Sequence, residues 1–212
     1  MNERIQGIHY ATGEPVLITI VDGTIQTIRS DSNLEERQLP YIAPGLVDLQ
    51  INGYRGIDFN TLPLTEKDVV HVTQMLWKEG VTSYYPTVIT NSDEAIEEAV
   101  KVIAAACERN QLVSKSIAGI HVEGPFISSE DGPRGAHGRE YVKAPDWELF
   151  QRWQEAAQGR IKMVTLSPEW LVLLNLSQNV RKAVLSSQLV IPQPRLNKYR
   201  KLSLLERACR RI

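Results

Sequence analysis

Ser116-Ile117-Ala118-Gly119-Ile120-His121-Val122-Glu123-Gly124-Pro125-Phe126 is the stretch on which the fold of this chain turns. An apolar run, predicted as a strand from Ser116 to His121, is followed by a carboxylate, Glu123, at the point where a Gly-Pro turn begins. Side chains alternate between the faces of a strand, so His121 and Glu123 share one. In a closed parallel barrel the carboxyl ends of the strands form the active-site face, and a carboxylate there suits a divalent cation. On position alone, a capping or salt-bridged glutamate is the more ordinary role. His121 is open to two roles, support of that carboxylate or a satisfied core histidine.

Outward from this strand the chain alternates. Upstream, Tyr41 to Ile51 reads as a mostly apolar strand. Thr65 to Lys78 has helical spacing with Thr65 as N-cap, Val81 to Tyr85 is a short β-run, and Asn91 or Ser92 caps a helix through Cys107. Downstream, Asp146 to Ala157 places Trp147, Phe150 and Trp153 at helical intervals, and Ile161 to Leu166 is a fourth strand. Such alternation implies a parallel sheet, and a doubly wound sheet and a closed barrel satisfy it equally. At the amino end, Val16 to Ile20 and Thr24 to Arg29 flank Val21-Asp22-Gly23, whose Asp-Gly pair suits a tight hairpin. The polar stretch from Ser30 to Pro40 reads as a linker. His9 and His71 match no pattern and are expected to be structural.

With 212 residues and 42% hydrophobic content the chain is long enough to bury a sizeable core. No apolar run approaches the ~18–20 residues of a membrane span, and Met-Asn-Glu-Arg begins no signal peptide, so a cytoplasmic location is expected. Cys107 and Cys209 form no spaced cluster and are expected to be buried or incidental thiols. The net charge of −1 conceals a break after Trp170. The residues from Leu171 onward hold nine Lys or Arg against one acid, Glu206, giving +8 against −9 for the rest, and they contain no glycine. A basic arm for nucleic acid or an anionic membrane on a degenerate barrel is one reading of that tail. Its Leu-rich, glycine-free composition, with basic residues not grouped with aromatics, speaks against it, and neither nucleic acid nor membrane is expected as a partner.

Several motifs stand in a familiar order. Pro44-Gly45-Leu46-Val47-Asp48 follows the hairpin Ile20-Val21-Asp22-Gly23-Thr24-Ile25. Gln50-Ile51-Asn52-Gly53, Pro86-Thr87, His121 to Phe126, Gly135-Ala136-His137 and Leu166-Ser167-Pro168-Glu169 come after it. Over most of residues 16–170 this series resembles the N-acetylglucosamine-6-phosphate deacetylase family of the amidohydrolase superfamily. The resemblance implies an α/β chain: part of a small β-sandwich over 1–40, and the first half of a (β/α)8 barrel over 41–170. The fold is incomplete as written, and 171–212 are expected to be a tail without native fold.

The resemblance also implies a chemistry. Many amidohydrolases carry a His-x-His pair where this chain has Gln50 and Asn52, and amides are poor ligands for zinc-like ions. The likeness is therefore to the branch with one divalent ion, expected to be zinc in the full-length parent, held by Glu123 and two later histidines. Gln50, Asn52 and His121 are expected around the ion without binding it directly, Gln50 touching a metal-bound water. Ala136 and His137 match the loop positions that meet the amino-sugar phosphate, with His137 as a hydrogen-bond donor. The catalytic Asp, the two histidines and the phosphate-binding Arg are absent from the recognisable part, so this chain is expected to be inactive and its parent a homo-oligomer. Another amidohydrolase activity, such as a cyclic amidase, is the rival enzyme reading, and Gln50-Ile51-Asn52 together with His121 to Pro125 weighs against it.

A shift of reading frame accounts for the tail. If one base is lost just after the Trp170 codon, the original frame starts at the third letter of each visible codon. Permitted codons for Ser186 to Pro194, TCG TCG CAA TTG GTC ATA CCG CAG CCC, then read Val-Ala-Ile-Gly-His-Thr-Ala-Ala, which contains the expected ligand motif. The same operation on Arg195 to Ile212 permits an amphipathic helix ending in Ser-Thr-His, the second expected histidine.

Overall fold

The computed structural model describes residues 2–31, 39–167, 170 and, as backbone, 186–189. The chain divides into two compact units, Met1–Gly45 and Leu46–Ile212.

In the first unit, β1 (Asn2–His9), β2 (Pro15–Val21), β3 (Thr24–Ser30) and β4 (Tyr41–Ile42) form one sheet in the order β3-β2-β1-β4. The β2–β3 hairpin pairs Val21 with Thr24 across Asp22-Gly23. Both turn residues have positive φ, 49° and 75°, the conformation a two-residue hairpin loop demands. Val16 and Ile18 turn one face of β2 inward. Strand β4 runs parallel to β1, and Gly7 permits the approach: a Cβ there would stand 2.6 Å from the carbonyl oxygen of Pro40. The single strand expected from Tyr41 to Ile51 is thus two strands in different units, interrupted at Ala43-Pro44-Gly45, where Pro44 has no N–H to pair.

The second unit contains β5 (Leu46–Ile51), a two-residue ribbon β6 (Gly53–Tyr54) and β7 (Ile57–Asp58), α1 (Glu66–Lys78), β8 (Val81–Ile89), α2 (Asp93–Arg109), α3 (Gln111–Ser116), β9 (Ile120–Glu123), α4 (Trp147–Ala156), β10 (Ile161–Leu166) and β11 (Ser186–Leu189). Its main sheet has the order β5-β8-β9-β10-β11, every pair parallel. A doubly wound sheet reverses its strand order at a switch point, whereas here each new strand is added beside the last, the progression of a (β/α)8 barrel. Ser186–Leu189, within the stretch expected to be an out-of-frame tail, pairs parallel with β10.

Local chemistry fixes the elements. Thr65 and Asp68 form a capping box at α1, Ser92 caps α2, and Asp146 caps α4. Val69, Val72 and Leu76 of α1 and Ile96, Val100 and Ile103 of α2 are buried against the sheet side of the unit with Tyr84, Val88, Ile120 and Val122. Trp153 of α4 is fully buried, stacks 5.6 Å from Phe126 and donates to the carbonyl of Asp93. Burying a side chain of this size stabilises by roughly 3 kcal/mol. The third strand begins later than the sequence suggests, because Asn110 caps the extra helix α3 and Ser116 ends it. Strand β9 therefore carries Glu123 as its last residue instead of stopping at His121. Strand β8 likewise runs four residues beyond Tyr85, to Ile89.

Candidate active site

The carboxyl ends of β5, β8, β9 and β10 lie side by side and gather Gln50, His121 and Glu123 on one face. Glu123 stands opposite Ile89 on one side and Thr165 on the other. Its carboxylate accepts a hydrogen bond from Gln50 Nε2 at 2.7 Å. The two residues are on β5 and β9, with β8 between them, so the bond crosses a neighbouring strand. Strands lie about 4.8 Å apart, and a 2.7 Å contact over two spacings is the reach of two long side chains converging on one face of the sheet. Gln50 is itself steadied by a bond from its backbone N–H to Asp48 Oδ1.

His121 occupies the same face one layer deeper and is fully buried. Nε2 is 2.8 Å from Thr165 Oγ1 and Nδ1 is 3.3 Å from Thr87 Oγ1. Burial pushes its pKa down to about 4, which leaves a neutral ring. Both ring nitrogens are engaged by hydroxyls, so His121 is a packed strut beneath Glu123 and has no nitrogen free for a ligand.

His137 enters from the loop between β9 and α4. Its Nδ1 is 2.9 Å from Thr90 Oγ1, just past the end of β8, and Thr90 Oγ1 is in turn 3.3 Å from the carbonyl oxygen of Glu123. Arg134 pins the loop by donating to the His137 carbonyl and to Asp131 Oδ1, both at 2.6 Å. Hydrogen bonding to Arg134 holds the Asp131 carboxyl below the usual range. Ala136 is exposed in the same turn. Asn52 is exposed beyond β5, its carbonyl accepts from Phe59 N–H, and it lines an open cleft of about 400 Å³ with Tyr54, Arg55, Asp58, Asn60 and Ile89. The structure thus links Gln50 and Glu123 directly and ties His137 to Glu123 through Thr90. Asn52 and Ala136 make no side-chain hydrogen bond to this group among the described residues.

Thr87, Thr90, Thr165 and Asn60 were not singled out as functional from the sequence. Asn60 is a case in point: its amide donates to the Thr87 carbonyl and accepts from the Ile89 N–H, splinting the end of β8. The signal available for Thr87 and Thr90 was the β-branched run continuing from Val81 past Tyr85. For Asn60 there was none, since the contact spans 27 and 29 positions.

Among the described residues, no three of His, Cys, Asp or Glu gather where an ion could be held. Glu123 is a single carboxylate already hydrogen-bonded to an amide, and one ligand neither fixes the geometry nor the affinity of a divalent ion. The described residues by themselves do not make a metal site.

The described strands make the first half of a singly wound (β/α)8 barrel, with a carboxylate ending the third strand and amides at the end of the first. No family model matches the chain. Curated relatives do: N-acetylglucosamine-6-phosphate deacetylase of Bacillus subtilis (strain 168) is 35% identical over 161 residues, 72% of this chain and 40% of that protein. The Homo sapiens enzyme of the same name is 35% identical over 134 residues, 60% of this chain and 31% of that protein. Among solved structures, the N-acetylglucosamine-6-phosphate deacetylase of Pasteurella multocida superposes with a TM-score of 0.71 at 25% identity, covering 88% of this chain and 50% of that one. The Mycobacterium smegmatis enzyme, solved as a D267A mutant in complex with N-acetyl-D-glucosamine-6-phosphate, superposes at 0.72 and 22% identity, a likeness of fold. Over the residues it shares with them, the chain is similar to the N-acetylglucosamine-6-phosphate deacetylases. It spans about 40% of the length of the first of these curated relatives.

Proposed function

We propose that the protein from which this sequence derives hydrolyses the N-acetyl group of an amino-sugar 6-phosphate, converting N-acetylglucosamine 6-phosphate to glucosamine 6-phosphate and acetate in amino-sugar catabolism. The observation that carries the reading is the placement of Glu123 at the end of β9, held by Gln50 and joined through Thr90 to the loop of Ala136 and His137. In the proposed enzyme Glu123 supplies one ligand to a divalent ion, zinc. Two histidines from the restored frame complete the set, and Gln50, Asn52 and His121 surround it without ligating. Such an ion supplies an activated water and a polarised acetyl carbonyl. The chain's own part is to aim the Glu123 carboxylate, to seat His121 as a neutral support, and to present Ala136 and His137 to the sugar.

The 212-residue chain is proposed to be inactive, because the expected second and third ligands and the catalytic Asp belong to the frame hidden after Trp170. The partner is a small amino-sugar phosphate. Neither nucleic acid nor membrane is proposed as a partner, the location is cytoplasmic, and the parent is a homo-oligomer. No helix among the described residues is long and apolar enough to cross a membrane.

One experiment tests the reading. DNA is resequenced across the Trp170 codon, one base is restored there, and the product is assayed for acetate release from N-acetylglucosamine 6-phosphate. The expected result is an open frame running well past 212 codons whose product is active with bound zinc while the 212-residue chain is silent. A genome with no such frame, or an active short chain, overturns it.

A further inference from the structure

Strand β8 runs on past the end of β5, and a side chain takes over the pairing. The β5–β8 ladder ends with Ile51 opposite Pro86, so the next rung of β5 would fall to Gly53 opposite Val88. Gly53 is engaged elsewhere. It pairs with Asp58 in the β6–β7 ribbon, so closely that a Cβ there would stand 2.1 Å from the Ile57 carbonyl oxygen. In a parallel ladder one residue gives its N–H to a carbonyl of the partner strand and accepts from the N–H two positions further on. At Val88 those groups are the Thr87 carbonyl and the Ile89 N–H. Asn60 makes both bonds with its carboxamide, Nδ2 donating to the Thr87 carbonyl at 3.1 Å and Oδ1 accepting from the Ile89 N–H at 2.7 Å. A carbonyl only accepts and an N–H only donates, so the amide stands one way round. Nδ2 also donates to Asp58 Oδ1 at 3.2 Å.

The consequence falls on Gln50 and Glu123. Ile89, which Asn60 holds, stands opposite Glu123 on β9. Phe59, the residue before Asn60, is fully buried and donates its N–H to the Asn52 carbonyl at the exit of β5. Asn60 thus joins the loop leaving β5 to the strand beside Glu123. Between Asp48 and Ile51, β5 advances three residues while β8 advances two, from Tyr84 to Pro86, and Gln50 lies in that irregularity. Its 2.7 Å bond to Glu123 depends on how far apart the strand ends are held. We propose that Asn60 is a positioning residue: its carboxamide replaces the missing rung between β5 and β8 and so sets the gap across which Gln50 holds the Glu123 carboxylate. The clasp follows from the backbone bonding alone; its bearing on turnover rests on the deacetylase reading.

Amide hydrogen exchange on the 15N-labelled 212-residue chain reads the clasp. In Asn60→Leu, Ile89 should exchange at least about tenfold faster, the loss of one hydrogen bond. Ile120, whose N–H is bonded to the Arg160 carbonyl, should keep its rate. The Gln50 side-chain amide signal should move toward its position in Glu123→Ala, where its acceptor is gone. Asn60→Asp keeps the shape and the acceptor but no donor; it serves where leucine is not tolerated and should shift the Gln50 signal the same way. An unchanged Ile89 in Asn60→Leu, or a Gln50 signal that stays in place in both variants, overturns the proposal. In the frame-restored protein, Asn60→Leu should lower kcat for N-acetylglucosamine 6-phosphate about tenfold with KM nearly unchanged, because Glu123 is placed at the reacting end and Ala136 and His137 at the sugar. Added to Gln50→Leu it should cost less than about twofold more, since residues acting through one contact are not additive. Asn110→Leu, which strips the cap of α3, should leave kcat within about twofold and separates positioning from plain loss of stability. A full tenfold loss in the Gln50→Leu background, or an equal loss in Asn110→Leu, overturns the proposal. No turnover by the restored wild type counts against the deacetylase reading instead, and exchange on the short chain still decides the clasp.

Discussion

Gln50 Nε2 reaches Glu123 Oε2 at 2.7 Å across an intervening strand, so the first and third parallel strands of the sheet are tied at their carboxyl ends by side chains 73 positions apart. The geometry separates orientation from stability. Gln50 is exposed, and water replaces its amide when it is removed. Gln50→Leu should therefore change the denaturation free energy of the 212-residue chain by less than about 1 kcal/mol. In the frame-restored protein the same change frees the carboxylate to rotate, and metal affinity should fall about 10–100-fold, the usual cost of losing a partner that orients a ligand. Competition titration with a chromogenic chelator measures it; equal affinity would show that Gln50 does not aim Glu123.

Glu123 itself should be far less forgiving. Glu123→Gln keeps the shape and the contact to Gln50 but removes the charge that offsets a cation. Bound zinc in the restored protein should fall below one per chain after dialysis, and acetate release should fall at least about 100-fold, on the order of 3 kcal/mol of lost stabilisation. Stoichiometric zinc with near-normal turnover would return Glu123 to a purely structural role.

The sequence made some of this legible and hid the rest for physical reasons. Strand-end chemistry was visible because it is local: the period-2 placement of His121 and Glu123 and the Gly-Pro turn lie within a few residues, and the structure ends β9 on Glu123. The cap Thr65 was legible for the same reason, and of the two candidates Asn91 and Ser92 the structure uses Ser92. The choice between a barrel and a doubly wound sheet came from the resemblance of the motifs and not from periodicity, since strand order is a non-local property that periodicity does not encode. Helix α3 was not legible either: it falls between the helix read through Cys107 and the strand read from Ser116, where Asn110 closes a helical turn over Leu112 and Val113. The threonine contacts to His121 and His137 stayed hidden because they join positions 34 to 47 residues apart.

Strand β5 is expected to govern the association of the chain. Among the described residues it pairs with β8 alone, and Leu46, Val47 and Leu49 are 61%, 60% and 54% exposed. A strand with apolar side chains uncovered and an unpaired edge is a template for another chain. Sedimentation velocity should show concentration-dependent oligomers of the 212-residue chain, shifted toward monomer by Leu49→Lys, with the far-UV spectrum unchanged. An oligomer distribution indifferent to that charge would place the contact elsewhere.

The helical layer offers a separate check through Cys107. Its thiol is 2% exposed on α2, among Ile103, Ala106 and the side chains of the sheet, and burial pushes its pKa up. Alkylation requires a thiolate that a reagent can reach, so in the native chain Cys107 has to wait for α2 to open. Iodoacetamide should modify it at least about 100-fold more slowly under native conditions than in denaturant, which corresponds to an opening free energy of about 2.7 kcal/mol or more. Peptide-resolved mass spectrometry distinguishes Cys107 from Cys209, which lies outside the described residues. Replacing Trp153 by Ala should accelerate Cys107 alkylation, because Trp153 donates to the Asp93 carbonyl at the start of α2 and fills the space between α2 and α4. Native and denatured rates within threefold of one another would mean that α2 does not pack on the sheet as described, and the barrel half would lose its main covering helix.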